Sequence, residues 1–152
     1  MSVNHWDSRF MRIAREVATW SKDPSTKVGA IMVRDRRVIA TGYNGFPQGI
    51  EDNGRLHNRE EKYPLILHAE ENVLMNALQH GVSAVGSTLY VWPLPICNIC
   101  MRLVIQAGVK RVVIMDPADG PVLWRDKWFN HSLPMVFEAK IMDDYLSESD
   151  LG

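Results

Sequence analysis

Apolar residues at Trp6, Phe10, Ile13, Ala14, Val17 and Trp20 recur at helical spacing and predict an amphipathic helix over about residues 5–21. After the SKDPST break, Val28 to Val33 and Val38 to Thr41 read as β-strands joined by a tight turn at DRR. The stretch from Gly42 to Pro64 is rich in Gly, Asn, Pro and charge, and a connection of that length is expected to be functional or mobile. A helix follows from about Leu65 to His80, closed by Gly81. The pattern continues with a strand at Thr88–Val91, a helix from Cys97 to Ala107 ended by Gly108, and a strand at Arg111–Met115. The remainder reads as a short helix near Trp124–Asn130, a last strand at Pro134–Phe137, a helical tail from Glu138 to Leu146 and frayed final residues.

Two strands joined by a short turn can form only a hairpin, whereas strands separated by helices should run parallel. The expected fold is therefore an α/β sandwich around a mixed sheet, with residues 1–152 as a single domain. That arrangement sets the starts of two helices side by side at one end of the sheet, where ligands tend to bind. The composition is that of a globular protein, with 46% hydrophobic and 23% charged residues. Seventeen basic residues against 18 acidic ones give a net charge of −1, which argues against a nucleic-acid partner. The N-terminal residues lack a secretory pattern, and no apolar run approaches the roughly 20 residues of a membrane span, so a cytoplasmic location is expected.

Chemistry concentrates in the two cysteines, Cys97 and Cys100, and in His68-Ala69-Glu70 about thirty residues earlier. A Cys-x-x-Cys pair at a helix start presents both sulfurs to one ion, and the helix N-terminus favours their thiolates. His68 supplies a nitrogen ligand, and three protein ligands leave a fourth tetrahedral position for water, the arrangement of a catalytic Zn2+. Glu70, two residues from His68, is placed to move protons rather than to bind the metal. Taken singly, a helical His is more often a surface or satisfied core residue, and a Cys-x-x-Cys can be redox-active. A structural zinc knuckle would need a fourth ligand, and His57, His80 and His131 stand at no recognisable spacing from the pair. The combination matches the zinc-deaminase signature, in which water displaces an exocyclic amine as ammonia.

Beyond the zinc motif, SKDPSTKVGA (Ser21–Ala30), GYNGFPQG (Gly42–Gly49), KYPLILHAEENVLMNA (Lys62–Ala77) and CNICMRLVIQAGVKRVV (Cys97–Val113) resemble the deoxycytidylate (dCMP) deaminase family of the cytidine deaminase superfamily. The resemblance implies a three-layer α/β/α sandwich around a five-stranded mixed sheet, zinc, conversion of dCMP to dUMP, a homo-oligomer, activation by dCTP, and inhibition by dTTP with Mg2+. It places Asn44 near the sugar, Val28 beside the base and the Ala69 backbone N–H at the base carbonyl. Asn44 also reads as a turn residue, a role that can coexist with ligand binding, and Val28 as any strand valine. Lys22, Thr26 and Lys27 could cradle a phosphate or be ordinary loop residues. Asn44, Gly45 and Phe46 are shared between substrate and a regulatory-nucleotide loop. The chain departs from the family pattern at Ile96, where proline usually precedes the first cysteine. A tRNA adenosine deaminase shares H-A-E and P-C-x-x-C, but the neutral charge and the GYNGFP and KYP stretches stand against it. A non-catalytic zinc-stabilised module would have no use for Glu70.

Overall fold

The computed structural model describes residues 3–152, so the first two positions of the expected domain span lie outside the described residues. Helix α1 (His5–Ala18) opens with a capping box: Asn4 Oδ1 accepts the N–H groups of Trp6 and Asp7 at 2.9 and 3.1 Å, and Asp7 Oδ2 accepts the Asn4 N–H at 3.0 Å. Its buried stripe is Asp7, Phe10, Met11, Ala14, Val17 and Ala18. Ile13 and Trp20, expected on the apolar face, lie 39% and 51% exposed. The helix ends before Trp20, and Ile13 is one position off the stripe that meets the sheet.

Strands β1 (Gly29–Arg34) and β2 (Arg37–Tyr43) form the expected antiparallel hairpin. Helices α2 (Arg59–Lys62) and α3 (Ala69–Gln79) precede β3 (Thr88–Trp92), and α4 (Asn98–Gln106) leads to β4 (Arg111–Met115). The sheet order is β2-β1-β3-β4-β5, with β1 and β3 antiparallel and β3, β4 and β5 parallel, which gives the expected five-stranded mixed sheet. Side chains alternate between its faces. Ile31, Tyr90 and Val113 pack beneath α1, while Met32, Leu89, Val91 and Val112 pack with α3 and α4. Because both faces are covered, the middles of the inner strands are apolar, with polar residues only at their ends: Arg34 in β1, Thr88 in β3 and Arg111 in β4.

Several boundaries differ from the sequence expectation. Residues 65–67 are not helical: Leu67 pairs with Gly45 in an antiparallel bridge, and α3 begins only after His68. The chain after β4 forms α5 (Val122–Lys127), a π-helical turn over Trp128–Ser132, and α6 (Leu133–Glu138) where a strand was expected. Pro134 stands where the π-helical turn runs directly into α6, and its missing N–H coincides with that departure from regular α-helical bonding. The fifth strand is β5 (Met142–Leu146), within the segment expected to be helical; Lys140, at φ 59°, supplies the left-handed turn between α6 and β5. The final residues are not frayed, since Glu148–Leu151 form a 3-10 turn that buries Leu151 against α1. Among the described residues no helix is long and apolar enough to cross a membrane.

Gly42 sets how closely α3 approaches β2. A β-carbon there would lie 2.3 Å from the Val73 backbone nitrogen and 2.7 Å from its Cα, contacts that only a backbone shift relieves. Gly42→Ala should therefore lower stability by about 1–3 kcal/mol. A urea titration would register this as a reduced midpoint at unchanged slope.

Candidate active site

The beginning of β1 and the ends of β2 and β3 meet at one edge of the sheet, since Gly29 pairs with both Tyr43 and Trp92. Onto this edge open the N-termini of α3 and α4. His68 is the N-cap of α3, Cys97 the N-cap of α4, and Cys100 lies in the first turn of α4. Both helix dipoles thus direct positive potential at the place where thiolates gather. The His68 N–H donates to Glu71 Oε1 at 2.9 Å, which fixes the entry into α3.

His68 Nδ1 lies 3.6 Å from Cys97 Sγ and 3.3 Å from Cys100 Sγ, and the three donor atoms all fall within 4.8 Å of one another. Zinc with its usual bond lengths and a tetrahedral angle would separate nitrogen and sulfur ligands by about 3.5 Å, which both nitrogen–sulfur distances match, so the donor set fits the ion. Glu70 is not among the clustered ligands; it stands two positions along the chain from His68, 4% exposed. The thiols share protonation. Cys97 is held at about 4, chiefly by the hydrogen bond from Cys100 against the cost of burial, and the same bond drives Cys100 upward. His68 is raised to about 8, with its hydrogen bond to Cys97 outweighing burial. Burial, and then the charge on Cys97, push the Glu70 carboxyl up to about 7. A carboxyl poised there can both take and return a proton near neutral pH.

A cleft extends from these residues, and Thr26, Val28, Asn44 and Ala69 all line it. Ala69 is the first residue of α3, so its N–H has no partner within the helix. The Asn44 amide is largely committed inward. Its Oδ1 accepts the Val28 N–H at 2.9 Å, and its Nδ2 donates to Thr26 O at 2.8 Å and Asp23 Oδ2 at 3.3 Å. Turn-building and cleft-lining roles coincide in this residue, and the second lone pair of Oδ1 remains open. Gly45 and Phe46 lie off the cleft wall: Gly45 pairs with Leu67, and the Phe46 ring lies beneath Arg55 at 5.8 Å. Lys22 is likewise exposed and absent from the wall. Lys27 is exposed as well, its ammonium donating to the Ser21 carbonyl oxygen. Ile96, which stands where proline is usual, is fully buried, and its carbonyl accepts Ser132 Oγ at 2.7 Å. That bond from the π-helical turn restrains the entry into α4.

Residues 4–116 match the model of the cytidine and deoxycytidylate deaminase zinc-binding region. The chain belongs to this family. An uncharacterised deaminase from the luxG 3′ region of Aliivibrio fischeri is 38% identical over 110 residues, 72% of each chain. Mouse deoxycytidylate deaminase is 39% identical over 118 residues, spanning 73% of this chain and 65% of the mouse protein. The fold is also that of the cyanophage S-TIM5 dCMP deaminase solved with dCMP and dUMP, at a TM-score of 0.76 and 24% identity over 96% of this chain and 100% of the phage chain.

Three features of the deaminase cleft were not foreseen as site residues. Trp124, on α5 and beyond the family-matched segment, lines the cleft with its ring 6.4 Å from that of His68, edge-on, and the Lys127 ammonium lies over the Trp124 ring at 4.4 Å. Asp23 and Lys62 also line it, joined by a 3.0 Å ion pair. Lys62 stands within the KYP stretch, but nothing in its spacing signals a partner 39 residues away.

Proposed function

We propose that this chain hydrolytically deaminates dCMP, giving dUMP and ammonia. The observation that carries the reading is the buried Glu70 beside the His68–Cys97–Cys100 donor set, opening on the cleft lined by Val28, Asn44 and Ala69. His68, Cys97 and Cys100 would hold Zn2+, which supplies Lewis-acid activation of water, lowering its pKa to about 7. Glu70 takes one proton from the attacking water and delivers it to the ring nitrogen. It then takes the second from the hydroxyl added at the ring carbon and gives it to the amine, so that the C–N bond breaks, ammonia leaves and the carbonyl forms. The Ala69 N–H donates to the base carbonyl, while Val28 packs beside the ring and the open lone pair of Asn44 Oδ1 accepts from a sugar hydroxyl. Thr26, in the cleft wall, belongs to the loop over the phosphate end, while the neighbouring Lys27 ammonium is turned to the Ser21 carbonyl oxygen.

Trp124 closes the cleft beside the base. Trp124→Ala should lower kcat/KM for dCMP by roughly 10-fold, the scale of one aromatic contact with a base, while the circular dichroism spectrum stays unchanged.

The same reading extends to regulation. Asn44, Gly45 and Phe46 would meet a dCTP or dTTP effector with Mg2+, and the Gly45–Leu67 bridge, next to His68, supplies a route to the metal site. Residues 1–152 would act as one deaminase domain in a cytoplasmic homo-oligomer. The test is ammonia release from dCMP, dCTP, cytidine, deoxycytidine and RNA adenosine, with and without each triphosphate. Preference for dCMP supports the reading, and activity confined to RNA adenosine sinks it.

A further inference from the structure

Between Trp92, the last residue of β3, and Asn98, the first of α4, the chain must deliver Cys97 to the metal donor set. Among the described residues, positions 93–96 make a single hydrogen bond: the Ile96 carbonyl accepts Ser132 Oγ at 2.7 Å. The Ile96 and Cys97 N–H groups have no acceptor there. Because a peptide unit is planar, the Ile96 carbonyl moves as one body with the nitrogen and Cα of Cys97. A bond to that oxygen therefore orients the backbone that carries the Cys97 thiol.

Both partners are fully buried. Ser132 closes the π-helical turn, in which the Trp128 carbonyl is taken by the Leu133 N–H. A buried hydroxyl that needed only a partner would bond a carbonyl one turn back in its own helix. This one crosses instead to a loop 36 residues away in the chain. The turn that carries it is itself anchored. Trp128 is buried in the core that also holds Ile96, Cys97 and Cys100, and its Nε1 donates to Tyr145 Oη, on β5, at 3.2 Å. Position 96 has the bonding of a proline site, since its N–H is unused, and the zinc-deaminase signature sets proline directly before the first cysteine. A proline ring would fix the entry into α4 covalently, whereas isoleucine leaves φ free.

We propose that Ser132 is a positioning residue for the metal ligand Cys97, its bond to the Ile96 carbonyl taking the place of a proline ring. This rests on the zinc-deaminase reading above. Ser132 is not among the donors and lies beyond the family-matched segment. It acts by holding the Cys97 backbone in place before the metal arrives, so that less ordering accompanies binding.

The test is the zinc affinity of the stripped protein, titrated against a competing chelator, in the wild type, Ser132→Ala, Ile96→Pro and the double variant. Ser132→Ala should weaken zinc binding by roughly 10-fold, the scale for losing a group that orients a ligand. In the Ile96→Pro background the same change should cost about 2-fold or less, because the ring already holds the peptide. Each effect is read within one background, so the volume that Ile96→Pro removes from the core cancels. Unchanged zinc affinity in Ser132→Ala overturns the inference. So does a loss of affinity, or of folding, that is equal in both backgrounds, which leaves Ser132 a packing residue. An Ile96→Pro protein that fails to fold or to bind zinc also overturns it, since position 96 would then not be a proline site. The titration contains no nucleotide, so its outcome is separate from whether dCMP is the substrate. A wild type that takes up no zinc overturns the metal site and this inference with it.

Discussion

Glu70→Gln is expected to abolish turnover of dCMP while leaving zinc bound. The amide keeps the size and much of the hydrogen bonding of the carboxyl but cannot carry a proton between water, ring nitrogen and amine. Loss of a positioned general acid–base costs about 10²–10⁴-fold. Metal content should be unchanged, because Glu70 is not among the clustered ligands. The same substitution should stabilise the zinc-stripped protein at alkaline pH. Glu70 has its pKa raised to about 7 in the fold, from an ordinary 4.5, by burial and then by Cys97. A raised carboxyl contributes its full stability below the unfolded value and loses it as pH rises towards the folded one. By pH 8 the wild type carries that penalty, about 3 kcal/mol, and the neutral amide does not. Thermal melts of the stripped proteins at pH 5 and pH 8 check this: a gap that opens only at pH 8 agrees, and identical melts at both do not.

Arg111→Met is expected to be the most destabilising single change. The guanidinium donates to Asp7 Oδ1 and Oδ2 at 2.8 and 2.9 Å and to Asp144 Oδ2 at 2.8 Å. Tyr90 adds a 2.6 Å hydrogen bond to Asp7. Asp7 and Asp144 are 1% and 4% exposed, so removing the arginine strands two buried carboxylates. Breaking such a network costs about 3–5 kcal/mol, measurable as a shift in the urea midpoint. The pH dependence should also reverse. In the wild type, burial pushes Asp7 up, but the hydrogen bonds from Arg111, Tyr90 and the Asn4 backbone together hold it below 3.8. Its contribution is therefore present above 3.8 and lost as pH falls through the folded value. Without Arg111, burial dominates, and the variant should be relatively more stable at pH 5 than at pH 8. Restoration by Asp7→Asn and Asp144→Asn in the same chain would confirm that unpaired charge is the cause.

This network also shows where sequence reading stopped. The zinc ligands and Glu70 were legible because metal chemistry demands particular residue types at particular spacing, and helix starts supply that spacing. The sheet's first four strands were legible because their apolar runs are bounded by turn residues. Met142–Leu146 was not, because its Asp143 and Asp144 read as exposed helix positions. Only the long-range partner Arg111 makes Asp144 a buried strand residue. The helix at Leu133–Glu138 was hidden by Pro134, which disfavours a regular helix interior but is accommodated where the π-helical turn joins α6. Lys62 and Trp124 were missed as cleft residues for the same reason as Asp144: their roles depend on partners distant in the chain. Lys27 drew attention by proximity to Val28, yet one turn of the loop carries it away.

The central claim is that this chain uses a metal held by His68, Cys97 and Cys100 to remove the amino group of dCMP. The most direct measurement is ammonia and dUMP formation from dCMP by protein stripped with a chelator and then restored with one equivalent of zinc. The expected result is no product from the stripped protein, and equimolar ammonia and dUMP once zinc returns. Equal turnover with and without the metal, or none from the restored protein, would contradict the account.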